Sequence, residues 1–134
     1  MNLKIHHLGI KVRNIEKNID LYEKMGYVKK SEIVIDEIQN NRIVFLRSGD
    51  GSQVLELIEP INDSSSIRNF ANGFHHICYE VEGTYFFEEF KALKIGKIFA
   101  KFASLPAIAN RWAAFGCLNN GMYVEFLIKE EICE

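Results

Sequence analysis

The chain has 134 residues, 48% hydrophobic and 25% charged, with sixteen Lys and Arg against eighteen Asp and Glu: an ordinary globular composition, long enough for one domain with a real core. No basic stripe points to nucleic acid, no apolar run approaches a membrane span, and "MNLKIHH" lacks the apolar segment and cleavage site of a signal peptide. Cys78, Cys117 and Cys133 are odd in number and form no CxxC pair, which predicts reduced thiols and a cytoplasmic location.

Taken in order, "KIHHLGIKV" alternates like a strand, and Asn14 then caps a helix with Ile15, Ile19 and Tyr22 on one face. Gly26 follows as a helix stop. Three strand-like runs come next, "YVKKSEIVI", "RIVFLRS" and "QVLELIE", with "GDGS" as a hairpin turn. Pro60 and the Asp63–Ser66 cluster open a linker in which Asp63 or Ser64 is expected to cap a short helix through Phe70. The pattern then repeats. "HHICYEV" is a strand, Thr84 a cap, Phe86, Phe90 and Leu93 an apolar helix face, and Gly96 a stop. "KIFAKF", "RWAAFG" and "MYVEFLI" follow, with "NNG" as a turn.

The repeat has a measurable offset. A shift of 69 residues lays His6-His7 on His75-His76, Glu56 on Glu125, and Asn41-Arg42 on Asn110-Arg111, while Gly26 meets Gly96 with a slip of one. Residues 4–59 and 74–128 therefore read as two copies of one β-α-β-β-β unit. The second extends to 129, residues 60–73 join the two, and the whole forms a single domain over 1–134.

Adjacent side chains on a strand point to opposite faces. Leu8, Ile10 and Val12 share the apolar face that must pack on the helix, and His6 goes with them; His7, Gly9 and Lys11 face the other way. In the same manner His75 joins Ile77, Tyr79 and Val81, while His76 joins Cys78 and Glu80. Glu56 and Glu125 sit in the middle of apolar strand faces, where a carboxylate is costly to desolvate unless its charge is met. Two imidazoles and two carboxylates at equivalent places predict a pseudo-symmetric metal site with His7, Glu56, His76 and Glu125 as ligands. Mixed N and O donors suit Ni, Co, Mn, Fe or Zn as one divalent ion, and six-coordination would leave two positions for water or substrate.

This organisation resembles the vicinal oxygen chelate superfamily, which includes glyoxalase I, methylmalonyl-CoA epimerase, extradiol dioxygenases and bleomycin-resistance proteins. The resemblance covers nearly the whole chain and implies an α+β fold, two tandem βαβββ units forming an open, barrel-like, eight-stranded mixed-sheet cup. The wording "HHLGIKVRNIEKNIDLYEKMGY", "VLELIEP", "DSSSIRNF", "GFHHICYEVE" and "YVEFL" is similar to the epimerase branch, and carries the ligand roles to His7, Glu56, His76 and Glu125. The "DPDGY" turn of glyoxalase I and the "HP" of the epimerases are both absent before the last strand, where "CLNNGMY" stands.

The resemblance implies a metal-dependent epimerase that moves a proton next to a thioester carbonyl, with Glu125 as one acid–base group and Glu37, in "VIDEIQNNRIVF", as the nearest match to the other. Arg42 and Arg111 are candidates for binding phosphates or a carboxylate of an acyl-CoA thioester; Lys101 reads better as a surface charge. A glyoxalase-type lyase acting on a hemithioacetal and a non-catalytic small-molecule binder are the alternatives, and a homodimer is the implied assembly.

Overall fold

The computed structural model describes residues 2–105 and 111–129; Asn110 and Cys133 lie outside the described residues. These contain nine strands and two helices: β1 (Lys4–Lys11), α1 (Ile15–Lys24), β2 (Val28–Lys29), β3 (Val34–Asp36), β4 (Asn41–Arg47), β5 (Val54–Pro60), β6 (Gly73–Val81), α2 (Phe86–Leu93), β7 (Gly96–Leu105), β8 (Arg111–Leu118) and β9 (Tyr123–Ile128). They form two compact units, one of residues 7–75 and the other of the described residues within 1–6 and 76–134.

Within the first unit β1 lies parallel to β5, β5 antiparallel to β4, and both β2 and β3 pair with β4. Within the second, β6 lies parallel to β9, β9 antiparallel to β8 and β8 antiparallel to β7. Each unit is thus a mixed sheet with one helix, the α+β class expected. The strand count is nine rather than eight. The run expected as one strand over 27–35 is broken into β2 and β3 because Ser31 bends out of the ladder. Its Oγ accepts the Phe45 N–H at 3.2 Å in place of a backbone carbonyl, and pairing to β4 resumes only at Val34.

The apolar periodicity decides which face each helix covers. On α1, Ile15 and Ile19 are buried with Val12, Val44, Leu46 and Leu57, and Asn14 caps the helix by accepting the Lys17 N–H at 2.9 Å. On α2, Phe86 and Phe90 pack with Val81, Val124, Phe126 and Ile128. Three expectations fail here. Thr84 makes no side-chain cap, since Tyr85 occupies the cap position, and Leu93 is exposed. Gly96 is not the helix stop either: Lys94 takes the left-handed conformation at φ 54°. Gly96 opens β7 instead, where an added Cβ would collide with the Cys117 carbonyl oxygen.

The linker is a chain of turns, not the short helix expected. Arg68 N–H bonds to Ser65 O and Phe70 N–H to Ile67 O. Asn62 Oδ1 takes the Ser64 N–H at 2.9 Å and Ser65 Oγ the Ile67 N–H at 3.1 Å, local side-chain bonds that compete with a helical ladder. Ser65, fully buried, also donates to Asn41 Oδ1 at 2.6 Å.

Candidate metal centre

Strand register sets the position of each expected ligand. In the first unit Glu56 pairs across the ladder with Gly9 of β1 and with Phe45 of β4. In the second unit Glu125 pairs with Cys78 of β6 and with Phe115 of β8. His7 stands two residues before Gly9, and His76 two before Cys78. Each histidine therefore shares a face with its glutamate, the face turned away from the helix.

The contacts match the register. His7 Nε2 lies 3.4 Å from Glu56 Oε1, and His76 Nε2 lies 3.2 Å from Glu125 Oε1. All four residues are buried, at 1% exposure for each histidine, 6% for Glu56 and 3% for Glu125. The phenylalanine opposite each glutamate meets the histidine edge-on: His7 and Phe45 have ring centroids 5.2 Å apart at 74°, and His76 and Phe115 are 5.6 Å apart at 79°. One arrangement of three side chains is built twice. Phe45 and Phe115 are not among the site residues expected from the sequence; their signal is their place directly across the ladder from the carboxylates.

The donor chemistry fits a divalent ion. Two donors held at about 2.1 Å and near a right angle around one cation stand about 3 Å apart, close to the nitrogen–oxygen separation found in each unit. In the second unit the imidazole and the carboxylate also lie within hydrogen-bond distance of each other, His76 Nε2 to Glu125 Oε1 at 3.2 Å.

The two arginines do not correspond. Phe45 and Phe115 are equivalent at an offset of 70, so the residue matching Arg111 is Asn41, and the expected match to Arg42 is one position out. Arg42 lies across from Glu59, on the face that packs against α1. Its Nη1 bonds Glu59 at 2.9 Å, its Nη2 pairs with Glu16, and Glu59 also accepts the Ile15 N–H at 2.9 Å. Arg111 lies on the face of Phe115 and Glu125, where Nη2 pairs with Glu80 at 2.8 Å and Nε donates to Ile128 O at 3.0 Å.

Burial alone would raise the Glu80 carboxyl. The hydrogen bond and charge of Arg111, with the charges of His6 and Lys4, outweigh it and hold the group below its ordinary value. A carboxyl depressed in the folded state contributes stability above its unfolded pKa of about 4.3 and loses it as pH falls through the folded value. Arg111→Met is therefore expected to lower stability by about 1–3 kcal/mol at pH 7, a gap that urea unfolding finds narrowed at pH 3.

Glu37 is exposed in the turn of residues 37–40 after β3. The turn is pinned by its neighbour Asp36, 2% exposed, which accepts the N–H groups of Ile38 at 3.0 Å and Gln39 at 3.1 Å. His6 and His75 are half-buried, and the His75 ring meets Phe70 edge-on at 4.7 Å.

Fold and donor set together define a class: paired βαβββ units, each with a strand-borne histidine and glutamate. The chain belongs to the glyoxalase/bleomycin resistance protein/dioxygenase superfamily, whose sequence profile matches residues 6–92. It is 33% identical over 84 residues to the mitochondrial methylmalonyl-CoA epimerase of Dictyostelium discoideum, covering 59% of this chain and 49% of that one. The chain spans about half the length of the curated relatives it matches. The crystal structure of methylmalonyl-CoA epimerase from Mycobacterium tuberculosis superposes with a TM-score of 0.80 at 17% identity, covering 95% of this chain and 88% of that one. A variant of the Streptomyces coelicolor epimerase in complex with 2-nitronate-propionyl-CoA superposes with a TM-score of 0.78 at 17% identity, covering 97% and 100%. At these identities the structural likeness establishes the fold. Among the described residues no helix is long and apolar enough to cross a membrane.

Proposed function

We propose that this chain is a metal-dependent epimerase that moves a proton on the carbon next to a thioester carbonyl, with a methylmalonyl-type acyl-CoA as substrate. The observation that carries this reading is the buried histidine–glutamate pair built at the same register in both units. The likeness to a methylmalonyl-CoA epimerase supports this substrate class. His7, Glu56, His76 and Glu125 would together hold one divalent ion, of the nickel, cobalt, manganese, iron or zinc kind.

When bound, that ion supplies Lewis-acid stabilisation to a carbonyl oxygen that gains negative charge. The rest of the chemistry belongs to side chains. A carboxylate removes the proton from the carbon between the carbonyl and the 2-substituent, and the C–H electron pair delocalises toward the thioester oxygen. A carboxylic acid on the opposite side returns a proton to that carbon, inverting it. Glu125 is assigned to one side, and Glu37, carried on the Asp36-pinned turn, to the other. Phe45 and Phe115 keep water from the carboxylates and set the tilt of the imidazoles. Arg42 is assigned to holding α1 against the sheet and Arg111 to neutralising Glu80; recognition of a substrate anion by Arg111 would require breaking that pair.

Deuterium uptake from D2O at the 2-position of methylmalonyl-CoA tests the assignment. Exchange that requires added divalent ion is expected, beside little turnover of the methylglyoxal–glutathione hemithioacetal. The reverse pattern would identify a glyoxalase-type lyase, and neither activity with no metal uptake a small-molecule binder. A homodimer in the cytoplasm completes the proposal. Sedimentation at twice the chain mass checks the assembly.

A further inference from the structure

We propose that Lys11 is the receptor for a carboxylate carried by the substrate on its reacting carbon, a role that rests on the epimerase reading above. Lys11 lies on β1 with only 9% of its surface exposed. The register that pairs Gly9 with Glu56 and Lys11 with Ile58 puts it on the same face as His7 and Glu56.

Its Nζ donates to the carbonyl oxygens of Arg68, at 3.2 Å, and Phe70. An ammonium has three donors and no acceptor; among the described residues two neutral carbonyls meet two of the donors, and one N–H and the net positive charge have no protein counterpart. Among the described residues no carboxylate comes within the 4.0 Å of an ion pair to Lys11. A cation withdrawn from water against neutral partners alone is expensive, and an arriving anion offsets that cost. The equivalent position in the second unit is Glu80, at the offset of 69, and there Arg111 supplies the counter-charge. Among the described residues no carboxylate plays the corresponding part for Lys11.

The spacing suits a compact dicarboxylate-derived acyl group. Lys11 stands two residues beyond Gly9, about 6.6 Å along the strand from the level of Glu56. In a 2-carboxyacyl thioester one carbon separates the carboxylate from the thioester carbonyl, so the two groups can face Lys11 and the histidine–glutamate end at once. A hemithioacetal of a 2-oxoaldehyde has no carboxylate on its reacting carbon and gains nothing from Lys11.

Calorimetric titration with methylmalonyl-CoA and propionyl-CoA, which differ by that carboxylate, tests the role. Wild-type protein is expected to prefer methylmalonyl-CoA by about 10- to 100-fold, the worth of a charge-assisted hydrogen bond. Lys11→Met should abolish the preference while leaving propionyl-CoA affinity unchanged, and Lys11→Arg should keep most of it. A Lys11→Met protein that folds and retains the preference overturns the role of Lys11 alone. Wild-type protein that binds neither thioester overturns the substrate assignment and Lys11 with it. Should Lys11→Met fail to fold, lysine Nζ labelling with 15N in the wild type decides: the Lys11 ammonium resonance must move with methylmalonyl-CoA and stay with propionyl-CoA, and any other outcome overturns the proposal.

Discussion

Titrating the metal-stripped protein with Co(II) is expected to give one ion per chain, and His7→Ala and His76→Ala should each weaken that single site by at least about 100-fold. The two losses should be similar, because the histidines occupy equivalent register positions, Gly9 opposite Glu56 in one unit and Cys78 opposite Glu125 in the other. Two independent histidine–glutamate sites would behave otherwise. They would bind two ions, and each variant would lose one ion and keep the other at full affinity. Stoichiometry thus separates a shared ion from two structural pairs. Binding also feeds into stability: at a free ion concentration 100 times Kd the folded state gains about 2.7 kcal/mol. For a chain of this size that raises Tm by roughly 10 °C, a rise the alanine variants should lack. Calorimetry that finds no shift in wild-type protein, or an equal shift in His7→Ala, would sink the four-ligand centre.

The two histidine–glutamate pairs were legible in the sequence because a strand has a period of two and a duplicated unit has a fixed offset. Those two regularities suffice to put His7 with Glu56 and His76 with Glu125. They fail where the copies differ in length. Between Gly26 and Phe45 the offset becomes 70 and returns to 69 by Glu56, so a shift that aligned the glutamates misaligned Arg42 with Arg111 and hid their opposite faces. The broken strand at Ser31 and the turns of the linker escaped for another reason. Each involves a hydrogen bond to a residue far along the chain, Phe45 for Ser31 and Asn41 for Ser65, and the linker adds local side-chain bonds that compete with a helix. Lys11 shows the same divide: its face followed from alternation, but the carbonyls of Arg68 and Phe70 that hold it lie 57 and 59 residues away.

Glu37→Gln is expected to lower epimerisation by about 10²- to 10⁴-fold, the usual worth of a positioned acid or base, while sparing deuterium exchange into one enantiomer. Inversion at carbon needs a proton removed on one side and delivered on the other. With Glu37 silenced, Glu125 can still remove a proton from the enantiomer it faces and return a deuteron to the same side, so label enters without inversion. The other enantiomer, which depends on Glu37 for the first step, should stay unlabelled. Metal affinity should be unchanged, since Glu37 is exposed on the turn after β3 and has no part in the histidine–glutamate pairs. Asp36→Ala provides a second reading of the same geometry. It removes the carboxylate that accepts the Ile38 and Gln39 N–H groups and so frees the turn that carries Glu37, a loss that should reproduce part of the enantiomer bias without deleting the base. Chiral analysis of labelled methylmalonyl-CoA from each variant makes the distinction. Equal labelling of both enantiomers in Glu37→Gln would remove Glu37 from the reaction and leave the second proton carrier to another residue.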